Sequence, residues 1–171
     1  ALMRSYGTVY VKTDFIGSWG GAQRLRHGMR LLRQALGPET VIRPCSTALN
    51  TQLGLCNEIG IARDIGNAAS NWQTMHFEML ELGSKWFMHN KFWHNNPDVL
   101  IVGDAHETLG EARGRVTLLA LTGGVVFLGD RMPELEQQPE RLRLCSLVLP
   151  SSGQPARPID LFRAVEKERD Y

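Results

Sequence analysis

Thr8-Val9-Tyr10-Val11-Lys12-Thr13-Asp14-Phe15 is the stretch that decides how this chain is read. Thr8–Thr13 is rich in β-branched and aromatic residues, the composition of a strand. Asp14 stands where that strand runs out. Gly17-Ser18-Trp19-Gly20-Gly21 follows and leads into a helical pattern. In barrels built from strand–loop–helix units, catalytic groups sit at the C-terminal ends of the strands, before such loops. Side chains alternate along a strand, so Lys12 and Asp14 share a face. A cation there favours the ionised carboxylate. Taken alone, an Asp at a strand end commonly does no more than begin a turn. The segments that follow favour the catalytic reading.

Outward from this stretch, strands and helices alternate. Ala22–Leu36 has Leu25, Met29, Leu32 and Leu36 at helical spacing, closed by Gly37-Pro38. Thr40–Arg43 is a short strand ending near Cys45. Ile59–Ala62 is another, ending at Arg63-Asp64. Ser70 or Asn71 can cap a helix from Trp72 to His89, with Met75, Met79, Leu82 and Trp86 on one face. Asp98–Val102 is a strand ending at Gly103-Asp104. Leu109–Leu121 is a helix, and Val125–Leu128 a strand ending at Gly129-Asp130. Pro139–Leu147 is the last helix. Short apolar strands each followed by a helix imply an α/β fold of parallel strands buried on both faces. Five such units cannot close an eight-stranded barrel, which takes about 250 residues. The choice is a smaller open sheet or part of a barrel.

The 171 residues suffice for one domain with a real core. A net charge of +1 gives no argument for nucleic acid or an anionic membrane. No apolar run approaches the roughly 20 residues of a membrane helix. Cys45, Cys56 and Cys145 lack any metal-type pairing and read as free thiols. His89, His94, Asp98 and His106 could be drawn into a metal site. Their spacing is not that of a helical zinc pair, so no metal and no cofactor is expected. The chain opens on Ala1-Leu2-Met3 close to its first strand, so localisation is left open.

Five segments carry a resemblance. Lys12-Thr13-Asp14-Phe15 resembles the Lys-x-Asp-Phe nucleophile strand of melibiase-type α-galactosidases, which are retaining glycoside hydrolases. Arg63, Asn67 and Trp72 match that family's Arg-x3-Asp-x4-Trp spacing except at the middle position. Phe92-Trp93-His94-Asn95-Asn96-Pro97-Asp98 is similar to its Phe-Trp-x-Asn-Asp-Pro-Asp segment. Leu121-Thr122-Gly123-Gly124 with Leu128-Gly129-Asp130 resembles its last strand. Arg157-Pro158-Ile159-Asp160-Leu161-Phe162 resembles the crossing into its C-terminal β-sandwich. Five motifs in order, from Tyr10 to Phe162, carry more than any one of them.

The resemblance implies a partial (β/α)8 TIM barrel, strands four to eight, without the first three. Residues 1–150 would form that partial catalytic domain. Residues 151–171, opening on the linker-like Ser151-Ser152-Gly153-Gln154-Pro155, would begin a truncated β-sandwich. It implies retaining hydrolysis of α-galactosides or related oligosaccharides, with Asp14 as nucleophile. Arg63 and Lys12 would bind sugar hydroxyls. By position, Trp19, in the loop after the nucleophile strand, is the candidate to stack on a sugar, and Cys45, at a strand end, either faces the sugar or is a small buried filler, the latter being the commoner case. A retaining pair needs a second carboxyl about 5–5.5 Å away. The family's acid/base Asp corresponds here to Asn67, whose amide cannot shuttle a proton. Asp64 could supply the carboxyl instead. So could Asp104 or Asp130, although these two read more as framework. The rival is a carbohydrate-binding relative without proton transfer. No nucleic acid or membrane partner is expected, and a cut barrel could associate through its open edges.

Overall fold

The computed structural model describes residues 5–18, 20–45, 47–65, 72–103 and 107–161. β1 (Tyr10–Thr13) and β2 (Val41–Pro44) run parallel, with Tyr10 opposite Val41 and Lys12 opposite Arg43. Between them α1 (Ala22–Leu36) carries the chain back. Its Leu25, Met29 and Leu36 bury against Val11 and Ile42, which point outward from the strands. Burying each such side chain contributes about 1.5–3 kcal/mol.

β3 (Glu58–Gly60) runs parallel to β4 (His94–Asn96). Asn57, just before β3, donates its backbone N–H to the Ile42 carbonyl and accepts the Ile42 N–H on Oδ1, both at 3.1 Å. This stitches β3 beside β2. β5 (Val99–Leu100) runs parallel to β6 (Phe127–Leu128). The Val125 N–H, donating to the Asn95 carbonyl at 3.1 Å, lays the approach to β6 beside β4. Neighbours in space thus follow chain order.

Of the strand expected over Asp98–Val102 only Val99–Leu100 forms, as β5, and β4 is a strand that was not expected, set off from β5 at Pro97-Asp98. Proline has no N–H to donate, and Asp98 takes a φ of 76° that no strand residue holds. The helix expected to reach His89 stops at Ser84. This is α2 (Trp72–Ser84), followed by a short 3₁₀ turn at Trp86–Met88. Gly83-Ser84 is a weak helical ending. On α2, Met75 and Leu82 are buried, but Met79 is 47% exposed, so the apolar stripe is narrower than its spacing implied. Trp86, expected as core, is half-buried with the Arg157 guanidinium 5.9 Å over its ring. Ser70 and Asn71 lie outside the described residues.

α3 (Leu109–Thr122), α4 (Met132–Leu135) and α5 (Pro139–Cys145) complete the helices. Ile59, Leu100 and Val102 pack outward against Leu82, Val116, Leu119 and Leu144. The inward face is polar instead, with Tyr10, Arg43, Glu58 and Asn96. The Tyr10 and Phe127 rings meet edge-on at 6.2 Å, so the sheet curls until β1 and β6 touch through their side chains. The stretch Ser151–Pro155 is fastened down. Ser151 Oγ donates to the Gly123 carbonyl at 2.8 Å, and the Gly153 carbonyl accepts from Asn90 Nδ2 at 2.7 Å. No helix among the described residues is long and apolar enough to cross a membrane.

Candidate active site

Because the strands are parallel, their C-terminal ends gather at one end of the sheet. Asp14 ends β1. Its Oδ2 lies 3.4 Å from Lys12 Nζ, and its Oδ1 accepts the Phe15 N–H at 2.8 Å. Phe15 has a φ of 53°, so the chain turns sharply and leaves the carboxylate at the strand tip. The ion pair is half-exposed on the lysine side and one-third exposed on the aspartate side. At that exposure it is worth under about 1 kcal/mol, so its effect is on orientation and charge rather than stability.

The Cys45 N–H donates to the Thr13 carbonyl at 2.7 Å, which sets the end of β2 beside that of β1. Burial pushes the Cys45 thiol up from its ordinary pKa. Arg43 and Lys12 pull it down, while Asp14 and Asp98 push it up. All four charges thus lie within electrostatic reach of the thiol. Cys45 lines a cavity of about 310 Å³ with Arg43, Gly60, Arg63, Asp64 and Asp98. Arg63 sits at the rim. Its guanidinium bonds Glu81 of α2 at 3.1 Å, its N–H bonds the same carboxylate at 2.9 Å, and it covers the Phe77 ring at 5.0 Å. Glu81 holds Arg63 above the ordinary guanidinium range, so it stays cationic. This leaves Arg63 directed to Glu81 rather than paired with Asp64. Asp64 is exposed and lines the cavity, with no hydrogen bond or ion pair to other described residues.

Asp130 sits otherwise. Its two oxygens accept the Val102 and Gly103 N–H groups, each at 2.8 Å. A Cβ on Gly103 would come within 2.8 Å of that carboxylate, which would have to shift to admit it. Asp130 ties β6 to β5 as framework. Trp19, Asn67, Asp104 and His106 lie outside the described residues. His89 is buried, with Nδ1 accepting the Asn95 N–H at 2.9 Å and its ring edge-on to His94 at 5.6 Å.

The sequence reading missed the charged floor of the cavity. Arg43 is 6% exposed. Its Nη2 donates to Asn96 Oδ1 at 2.7 Å and lies 3.6 Å from Asp98 Oδ1, while Nε lies 3.6 Å from Glu58 Oε1. Phe127 packs beneath the guanidinium at 5.2 Å. Glu58 Oε1 also accepts from Tyr10 Oη at 3.1 Å and Asn96 Nδ2 at 2.5 Å. Burial lifts the Glu58 carboxyl above its usual range, against the pull of Tyr10, Asn96 and Arg43. Burial and Glu58 together push the Tyr10 phenol well up. The available signal was alternation: in Val41-Ile42-Arg43-Pro44-Cys45, Arg43 shares a face with Cys45. A lone arginine in an apolar strand needs a carboxylate partner, and Asn-Asn-Pro-Asp held one.

No protein-family model matches the sequence. Solved structures do. Over 78% of its length the chain is similar to Abp, a GH27 β-L-arabinopyranosidase from Geobacillus stearothermophilus, with a TM-score of 0.63 and 15% identity. It is similar over 86% of its length to TtGalA, an α-galactosidase from Thermus thermophilus solved with p-nitrophenyl α-D-galactopyranoside, with a TM-score of 0.63 and 21% identity. The D197A form of Abp, solved with arabinose, gives a TM-score of 0.62. The chain thus has the α/β fold of GH27-type glycoside hydrolases, as the five motifs implied. It spans about a third of their length, 35% of Abp and 34% of TtGalA.

Proposed function

We propose that this chain forms strands four to eight of a (β/α)8 glycoside hydrolase that cleaves α-galactosides or related sugars with retention. One observation carries the reading. The Asp14 carboxylate stands at the tip of β1 between Lys12 Nζ and the Phe15 N–H, one residue beyond Thr13, whose carbonyl accepts the N–H of the cavity-lining Cys45. Asp14 would attack the anomeric carbon, forming a glycosyl-enzyme intermediate as the leaving oxygen takes a proton. Water would then release the sugar. Asp64 fits the acid/base role better than Asp130, because Asp64 faces the cavity with its carboxyl unengaged among the described residues and Asp130 is spent on two amides. Lys12, Arg63 and Trp19 would bind the sugar. The galactoside and arabinose bound by the solved relatives suggest the substrate class. Residues 151–171 would lead toward a second domain.

The test uses a full-length barrel. Asp14→Ala should abolish turnover even of activated aryl α-galactosides, and azide should restore it with product of inverted configuration. Near-normal activity of Asp14→Ala rejects the assignment.

A second reading rests on Asn67, the amide at the family's acid/base position. General acid/base catalysis contributes about 10²–10⁴-fold, so without another donor the chain would bind sugars and barely cleave them. A large gain for Asn67→Asp on the poorest leaving groups would favour this reading and reject Asp64.

A further inference from the structure

We propose that Arg43 and Asp98 form a clamp that positions the Arg63–Ile65 loop. Asp98 is the pivot. Its Oδ2 accepts the Ile65 N–H at 2.7 Å, and its own N–H donates to Asn96 Oδ1 at 2.8 Å. Arg43 Nη2 reaches that same Asn96 oxygen at 2.7 Å and stands 3.6 Å from Asp98 Oδ1. The left-handed backbone at Asp98, φ 76°, is unfavourable for a residue with a side chain and persists where surrounding bonds fix it. Three strands meet here: Arg43 from β2, Asn96 from β4, and the loop that leaves β3. The Ile65 amide is one peptide unit from Asp64, and Arg43, Asp64 and Asp98 line one cavity.

The clamp's purpose rests on Asp64 as proton donor. Neither Arg43 nor Asp98 is given a proton to move; they act through the loop. A donor displaced by about 1 Å can cost 10²-fold in rate, and an exposed carboxylate that makes no hydrogen bond or ion pair among the described residues depends on its backbone for its aim.

Amide hydrogen exchange on the intact chain tests the clamp apart from catalysis. The Ile65 amide should exchange at least tenfold faster in Asp98→Ala than in the parent. The Val102 amide, held by Asp130, should be unchanged. Asp98→Asn, which keeps one oxygen for Ile65, should retain most of the protection. Arg43→Gln should speed Ile65 exchange, and Arg43→Lys should do so less. Unchanged Ile65 exchange in Asp98→Ala overturns the clamp. If that variant does not fold, faster Ile65 exchange in Arg43→Gln supports the clamp and unchanged exchange overturns it. In a full-length barrel, Asp98→Ala should slow aryl glycosides of poor leaving groups far more than activated ones. Equal slowing rejects the link to the proton donor while leaving the exchange result standing.

Discussion

Cys56 and Cys45 show how far burial divides two residues of one type. Burial pushes the Cys56 thiol up to about 12, and it is 9% exposed. Cys45 is half-exposed at the cavity. Thiolate is the reactive form, so at pH 8 iodoacetamide should modify Cys45 at least about tenfold faster than Cys56, read by peptide mass spectrometry. Equal rates would place Cys56 at the surface. Glu58 gives a pH prediction. Its folded carboxyl sits above the unfolded value of about 4.3, so the native state holds a proton that the unfolded chain has released. Stability must then fall as pH rises from about 4.3 through the folded value. Between pH 4.5 and 7.5, urea unfolding of Glu58→Gln should lose less stability with rising pH, or gain more, than the parent. Glu78 and Glu107 are raised in the same sense, while Glu81, Glu111 and His89 are lowered and act in the opposite one, so the test is the difference in slope between variant and parent. An unchanged slope in the variant would remove Glu58 from this role. At this scale Lys12 and Asp14 were legible, because alternation alone puts them on one face. Arg43 and Asp98 were not, because their meaning depends on contacts across more than fifty residues of chain.

α3 is held by its first turn and by one buried cation. Thr108 Oγ1 accepts the Glu111 N–H at 3.3 Å, and Glu111 Oε2 accepts the Thr108 N–H at 2.7 Å. Thr108→Ala should cost about 1 kcal/mol, measured by urea unfolding; a loss below the error of that measurement would show the cap to be idle. Farther along, Arg115 is 1% exposed and bonds Glu78 of α2 at 2.7 Å and Glu107 at 3.2 Å. Removing one partner of a buried charge set strands the others, so Arg115→Met should destabilise by about 3–5 kcal/mol. A change under 1 kcal/mol would mean that water reaches the carboxylates. Ala22–Leu36 was legible because it has full apolar periodicity, whereas the capping box at Thr108 and Glu111 and the short α4 went unread. Arg115 hides that logic, since a charged residue in a helix is ordinarily read as solvated. The parallel direction of the strands was legible, but β4 was not, because His94-Asn95-Asn96 has no apolar alternation, and the left-handed backbone at Asp98 that sets it off from β5 is a local state that no periodicity encodes.

Across the whole molecule, parallel strands in chain order leave β1 and β6 each with one unpaired edge among the described residues. Val9 is 72% and Phe15 81% exposed beside β1, and Phe127 and Leu128 of β6 are each 37% exposed. Raw edges with apolar neighbours invite pairing. The chain should therefore associate as concentration rises in analytical ultracentrifugation, and Val9→Lys should weaken that association; a monomer at all concentrations would show the edges to be self-sufficient. The βα alternation made the parallel architecture legible. The curl that brings Tyr10 to Phe127 was not, because it depends on which inward side chains fill the interior. The strap at 151–156 adds a further point. A Cβ on Gly123 would fall 2.3 Å from the Gln154 backbone, and one on Gly124 2.1 Å from the Asn95 carbonyl. Three stretches from distant parts of the chain thus cross with no room for a single methyl group. Drift elsewhere can be absorbed by a neighbour's adjustment, but backbone atoms cannot be exchanged for smaller ones. In a saturation library these adjacent positions should tolerate nothing but glycine, and descendants of this sequence should keep the pair long after its surface has become unrecognisable.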